Sequence, residues 1–147
     1  MLYRDVLQRD AKPGYYFNGN GYLILDKGNY RLHRSSDFLL QFKTFAENGL
    51  LLFIGKGNDF LSIELKDGKL LYQYDLGGGR AQLLSDKTYN DGQWHDVMAS
   101  RKKQEGVLRV DGVLVDSGSS QGDMTQLSTT NLLYIGGYTG SSIYDLG

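Results

Sequence analysis

Six Asx-Gly pairs are spread along the chain: Asn18-Gly19, Asn20-Gly21, Asn48-Gly49, Asp67-Gly68, Asp91-Gly92 and Asp111-Gly112. Asn and Asp tolerate a positive φ and Gly adopts one freely, so such pairs favour tight hairpin turns. Six of them in 147 residues predict an antiparallel protein built from many hairpins. The 20 glycines have no fixed period, which excludes a collagen-like chain.

The segments between these turns alternate as half-buried strands do. Phe38, Leu40 and Phe42 share one face, with Gln41 and Lys43 on the other. Leu50 to Ile54 is wholly apolar and reads as a strand buried on both faces. Leu61, Ile63 and Leu65 point inward, leaving Ser62 and Glu64 on an outward polar face. After Asp67-Gly68, the residues Leu70, Tyr72, Tyr74 and Leu76 again share a face. Residues 81–84, 93–100, 107–110, 113–115 and 132–135 read as strands as well, and about ten or eleven strands are expected in all. No window repeats at helical spacing. The predicted class is all-β, an antiparallel β-sandwich or barrel.

Composition narrows the function. Sixteen basic and seventeen acidic residues nearly cancel, so net charge does not drive nucleic-acid binding. The longest apolar run falls far short of the ~20 residues of a membrane-spanning helix. There is no cysteine, which removes disulfides, Cys-ligated zinc and Cys nucleophiles, and by itself leans towards a reducing compartment. Neither Gly55-Lys56-Gly57 nor Gly77-Gly78-Gly79 forms a phosphate loop. His33 and His95, the two histidines, are not at metal-ligand spacing and read as solvated or hydrogen-bonded strand residues. Asp59, Glu64 and Asp67 lack the spacing of a glycosidase carboxylate pair. A non-enzymatic binding protein is therefore expected, with a glycan-degrading sandwich enzyme as the weakest alternative.

Several short pieces occur in a telling order. Phe17-Asn18-Gly19-Asn20-Gly21-Tyr22 comes first, then Phe42-Lys43-Thr44-Phe45 leading into Asn48-Gly49-Leu50-Leu51. Residues 58–76, NDFLSIELKDGKLLYQYDL, run into Gly77-Gly78-Gly79. Asn90-Asp91-Gly92-Gln93-Trp94-His95, Leu108-Arg109-Val110-Asp111-Gly112 and Leu133-Tyr134-Ile135-Gly136-Gly137 follow. From about Tyr16 to Tyr138 the chain resembles a laminin G-like domain, with the G domains of laminin α chains as the nearest look. The resemblance implies a jelly-roll sandwich of the concanavalin A and laminin G-like type. It also implies an extracellular, secreted module of the matrix or basement membrane, used in cell adhesion. Trp94, entering a strand after a turn, is expected to anchor the core between the sheets.

The resemblance further implies a Ca²⁺ site at one rim. Its positions fall on the Asp59 carboxylate, the Leu76 carbonyl, the Ser128 carbonyl and Thr130, where the family pattern has a second Asp. Asn131 stands beside Thr130 as another oxygen source. One carboxylate with neutral oxygens gives at best a weak site, of about 10⁻⁴–10⁻³ M. A second candidate site is the cationic run Arg101-Lys102-Lys103 before a turn at Glu105-Gly106, with Arg80 and Lys56 near the rim. Its expected ligands are heparan sulfate, sulfated glycolipids or the acidic glycans of dystroglycan-type receptors. Integrins and neighbouring G-like domains are the protein partners implied. An architectural interaction module without glycan or Ca²⁺ is the alternative.

Residues 1–14 read as a lead-in segment and 15–147 as a single laminin G-like domain. The family's last strand is either reduced here to Tyr144-Asp145-Leu146 or missing. Against that pattern, absent cysteines do not exclude an extracellular home.

Overall fold

The computed structural model describes residues 2–3, 15–19, 21–26, 28, 32–130 and 132–136. Twelve strands are found among them: β1 (Leu2–Tyr3), β2 (Tyr15–Tyr16), β3 (Leu23–Asp26), β4 (Ser35–Phe42), β5 (Gly49–Lys56), β6 (Asp59–Lys66), β7 (Lys69–Leu76), β8 (Arg80–Thr88), β9 (His95–Lys102), β10 (Glu105–Val110), β11 (Val113–Ser119) and β12 (Leu132–Ile135). A six-stranded sheet runs β3-β12-β5-β6-β7-β8, and a four-stranded sheet runs β11-β10-β9-β4. β1 pairs with β2 separately, and every pairing is antiparallel. The antiparallel sandwich read from the sequence is what forms. Strands β1, β2 and β3 were not anticipated, because each is short and lacks a run of alternation. Tyr144-Asp145-Leu146 and Asn131 lie outside the described residues.

The expected turn chemistry closes hairpins at Asp67-Gly68 and Asp111-Gly112, whereas Gly49 opens β5 and Asp91-Gly92 lies in the loop between β8 and β9 of different sheets. Asp67 and Asp111 take φ values of 52° and 52°, and the glycines after them 78° and 79°, which closes the β6–β7 and β10–β11 hairpins. Positive φ at both central residues is the hairpin turn that matches strand twist. Leu61, Ile63, Leu65, Leu70, Tyr72, Tyr74 and Leu76 cover the inner face of the large sheet. Phe42, Val97, Ala99, Leu108 and Val110 meet them from the small sheet. Fully burying side chains of this size contributes about 1.5–3 kcal/mol each. Gly106 belongs to this contact. A Cβ there would lie 2.6 Å from Tyr74 Oη, so only glycine admits the tyrosine.

Leu50–Ile54 is buried on both faces as read, helped by a bulge between Leu50 and Leu52. Leu50, Phe53 and Phe60 form a second cluster with Tyr134 on the sheet's other side. Two expectations fail here. Ser62 and Glu64 do lie on the face opposite the main core, but they are 0% and 7% exposed rather than solvated. Alternation reports which face a residue takes, not whether that face is wet. Trp94 sits just before β9 and is only half-buried, outside both core clusters. Phe42, Tyr72 and Tyr74 fill the space between the sheets instead.

Candidate functional site

One end of the sandwich gathers most of the candidate residues. The β5–β6 turn sets Lys56 across from Asp59, and Asp59 in turn pairs with Leu76 at the end of β7. Asp75 Oδ1 then accepts the Gly77 and Gly79 amides at 2.8 and 3.1 Å, folding the glycine loop over one carboxylate. An Asp ahead of glycines is the side chain that makes such a local turn. Gly79 carbonyl accepts the Gln121 amide at 3.2 Å. Gly78 lies so near that a Cβ would fall 2.9 Å from the Gln121 carbonyl. Gln104 joins from the β9–β10 turn: its carbonyl accepts the Ser120 amide at 3.0 Å, and its side-chain amide donates to the Gly122 carbonyl. The rim is therefore several loops tied together by backbone groups.

Asp59 is part of this lashing. Its Oδ2 accepts the Ser128 amide at 3.0 Å, and its Oδ1 faces Gly77. Asp59, Leu76 and Ser128 are thus neighbours, but the group of Ser128 that meets the carboxylate is its amide and not the carbonyl the family pattern uses. Thr130 is exposed on the same segment and makes no hydrogen bond with Asp59. Among the described residues no three His, Asp or Glu side chains gather as a metal cluster. The donor set at Asp59 is one carboxylate plus neutral oxygens, thin for a cation that takes 6–8 oxygens.

The cationic run divides. Arg101 is no surface residue: it is 2% exposed and among the largest fully buried side chains. Its guanidinium donates to the carbonyls of Leu32, His33 and Lys103. Burial pulls its pKa down, with Tyr72 and Tyr74 acting the other way. The reason is strand parity, since Arg101 follows Val97 and Ala99 at period two and so points inward with them. Lys102 and Lys103 remain exposed. The turn they reach is at Lys103-Gln104, because Glu105 and Gly106 already belong to β10. Arg80 is half-buried with its guanidinium 5.3 Å from the centre of the Phe60 ring, on the large sheet's outer face.

A further cation joins Lys102 and Lys103. The Lys103 amide donates to the Arg34 carbonyl at 2.6 Å, and His33 and Arg34 are both exposed. The run His33-Arg34 was visible in the sequence, but its nearness to Lys103 follows from β4–β9 pairing. Leu127 donates its amide to the His33 carbonyl at 2.7 Å, and the next residue, Ser128, reaches Asp59. The basic group and the Asp59 group therefore share one rim.

The laminin G domain family model matches residues 42–145. The chain belongs to the laminin G domain family. Human pikachurin is 39% identical over 129 residues, covering 82% of this chain and 13% of pikachurin. The mouse basement membrane-specific heparan sulfate proteoglycan core protein is 36% identical over 135 residues, covering 84% of this chain and 4% of that protein. The structure of mouse laminin α1 domains LG4-5 superposes with a TM-score of 0.77 at 29% identity, over 81% of this chain and 32% of that one. This laminin G domain thus spans a small fraction of its curated relatives. They place it among the interaction modules of extracellular matrix proteins. No helix among the described residues is long and apolar enough to cross a membrane.

Proposed function

We propose that the domain is an extracellular adhesion module whose rim binds acidic glycans, such as heparan sulfate, or an acidic receptor surface. The observation that carries this reading is the exposed cation group of Arg34, Lys102 and Lys103 on a rim whose loops are fixed by backbone bonds. Guanidinium and ammonium donors suit sulfate and carboxylate groups. A preformed rim also spares the ligand the cost of ordering loops. Surface plasmon resonance against heparin at two salt concentrations tests it. Binding that weakens as salt rises, and weakens again in Arg34→Ala and Lys103→Ala, is expected. Binding indifferent to both salt and these substitutions overturns the reading.

In this proposal Ca²⁺ is a weak accessory at Asp59, taking its further oxygens from the Leu76 and Ser128 carbonyls. Asp59→Ala is a poor probe, since it also frees the Ser128 amide. Asp59→Asn keeps an oxygen for that amide and drops the charge. Calorimetry should show weak heat with millimolar Ca²⁺ for the parent and none for Asp59→Asn. No heat for the parent removes Ca²⁺ from the proposal and leaves the cation group in place.

A second reading, an architectural module without glycan or Ca²⁺, is favoured by two observations. Asp59 already secures Ser128, and Arg101 is withdrawn from the surface. Such a module would show no salt-dependent heparin binding and would associate with neighbouring G-like domains.

A further inference from the structure

At the end of the sandwich away from the rim, His95 opens β9 and is 8% exposed. Each of its ring nitrogens faces a carboxylate. Nδ1 lies 2.8 Å from Asp111 Oδ2, in the β10–β11 turn. Nε2 lies 2.8 Å from Asp91 Oδ1, in the loop that precedes β9. Tyr89 meets the ring edge-on at 5.0 Å between centroids, and Phe42 of β4 lies at 5.7 Å. Asp96 of β9 adds a further carboxylate here: it accepts from Gln41 of β4 while its amide donates to Asp111 Oδ1 at 2.8 Å.

An imidazole donates from both nitrogens only when protonated. The neutral ring has one N–H, so one carboxylate would then face a lone pair. The two carboxylates are not held alike. Asp111 is pinned by the Asp96 amide, and its own amide donates to the Asp96 carbonyl at 2.8 Å. Asp91 is exposed, and its Oδ1 is shared with the Gln93 amide at 2.9 Å. The neutral ring should keep its proton on Nδ1 towards Asp111 and let Asp91 go.

We propose that His95 is a pH-operated clamp. Protonated, it ties the loop of residues 89–94 to the β10–β11 turn; deprotonated, it holds the turn and releases the loop. Burial alone would lower the His95 pKa, but the hydrogen bonds to Asp111 and Asp91 and their charges outweigh it and raise the pKa above 6.5. The Gln93 amide and His95 together hold Asp91 below the usual carboxylate range. The released loop includes Gly92, whose amide donates to the Thr44 carbonyl at 2.9 Å and whose backbone lies under the exposed Phe45 ring. Opening would therefore reach the β4–β5 connection.

Nitrogen-resolved NMR of the imidazoles tests this, with His33→Gln assigning the signals. His95 should titrate above 6.5, with both nitrogens protonated in acid and Nδ1–H retained in base. Through the same pH range the exchange protection of the Gly92 and Gln93 amides should fall by about tenfold, the equivalent of one hydrogen bond to a charged group. Asp91→Asn retains Asx-Gly turn chemistry; it should lower the His95 titration and abolish the pH-linked change in protection. Titration at or below 6.5, a retained Nε2–H, or protection that ignores the His95 titration would overturn the clamp.

Discussion

Replacing Arg101 by Met separates a structural cation from a binding one. Two effects oppose each other. Removing a buried guanidinium relieves its desolvation, and in some proteins a buried ionic group can be exchanged for apolar side chains at no loss. That holds when all partners are replaced together. Here the partners are the backbone carbonyls of Leu32, His33 and Lys103, which stay behind. A buried acceptor left without a donor costs about 1–3 kcal/mol. Leu32 is 2% exposed, whereas Lys103 is exposed and recovers part of its loss, and the His33 carbonyl keeps the Leu127 amide at 2.7 Å. The sum is about 1–4 kcal/mol, a substantial share of the ~5–15 kcal/mol that holds a domain folded. Arg101→Lys should lose nearly as much, because an ammonium cannot reproduce the planar fork that spans three carbonyls. Urea unfolding followed by the fluorescence of Trp94, the one tryptophan, should show a lower midpoint and an unchanged slope. Lys103→Ala should move stability by less than about 0.5 kcal/mol and act on heparin retention instead. If Arg101→Met is as stable as the parent and loses heparin binding, Arg101 is a ligand contact and its inward placement is wrong.

Three further outcomes are expected. Gly106→Ala sets a Cβ 2.6 Å from Tyr74 Oη and 2.7 Å from Tyr74 Cε1 in a close-packed core; overpacking of this kind costs about 1–3 kcal/mol in urea unfolding, and a change too small to measure would mean the sheets separate there freely. Burial raises the Glu64 pKa above 4.5, against the pull of Lys66 and Arg80, so this group's contribution is fully present below 4.5 and lost as pH rises through the folded value. Glu64→Gln should accordingly raise the thermal midpoint at about pH 7, and the gain should shrink as pH falls towards 4.5; a loss at neutral pH would show that Glu64 is better paired than its exposure implies. His95 also has a raised folded pKa, so its clamp stabilises fully below 6.5 and fades as pH rises through the folded value. His95→Gln should then lower the melting temperature more in mild acid than in mild base, and equal losses at both would deny the imidazolium its role.

What was legible in the sequence followed from local rules. Asp67-Gly68 and Asp111-Gly112 close hairpins because the turn type needs positive φ at two successive positions, and few residue pairs supply it. The inward faces of β6 and β7 follow from a strict period of two. Neighbours brought by distant pairing were not legible. Lys103 touches the Arg34 backbone because β4 lies beside β9, a pairing that spans most of the first hundred residues. Arg101 reads as one of three equivalent cations until strand parity turns it inward and leaves Lys102 outside. Asp59 was read for its charge, while its bond to Ser128 depends on where the segment after β11 returns.

The rim's charge balance bears on which ligands it can hold. Asp59 and Asp75 stand near Lys56 and Arg80, two of each sign, so the region around the family's metal position has little net field. Both carboxylates are also engaged by backbone amides, Asp59 by Ser128 and Asp75 by Gly77 and Gly79. They serve first to fold the rim. The excess positive charge lies beyond them, at Arg34, Lys102 and Lys103, where Glu105, set across from Lys102 in the β9–β10 ladder, offsets only part of it. Attraction between exposed charges falls off within about 8–10 Å at ordinary ionic strength. A glycan held chiefly by this group would therefore be gripped at one side of the rim rather than across it. If the proposed Ca²⁺ binds at Asp59, it should extend the contact by adding positive charge where these four side chains cancel.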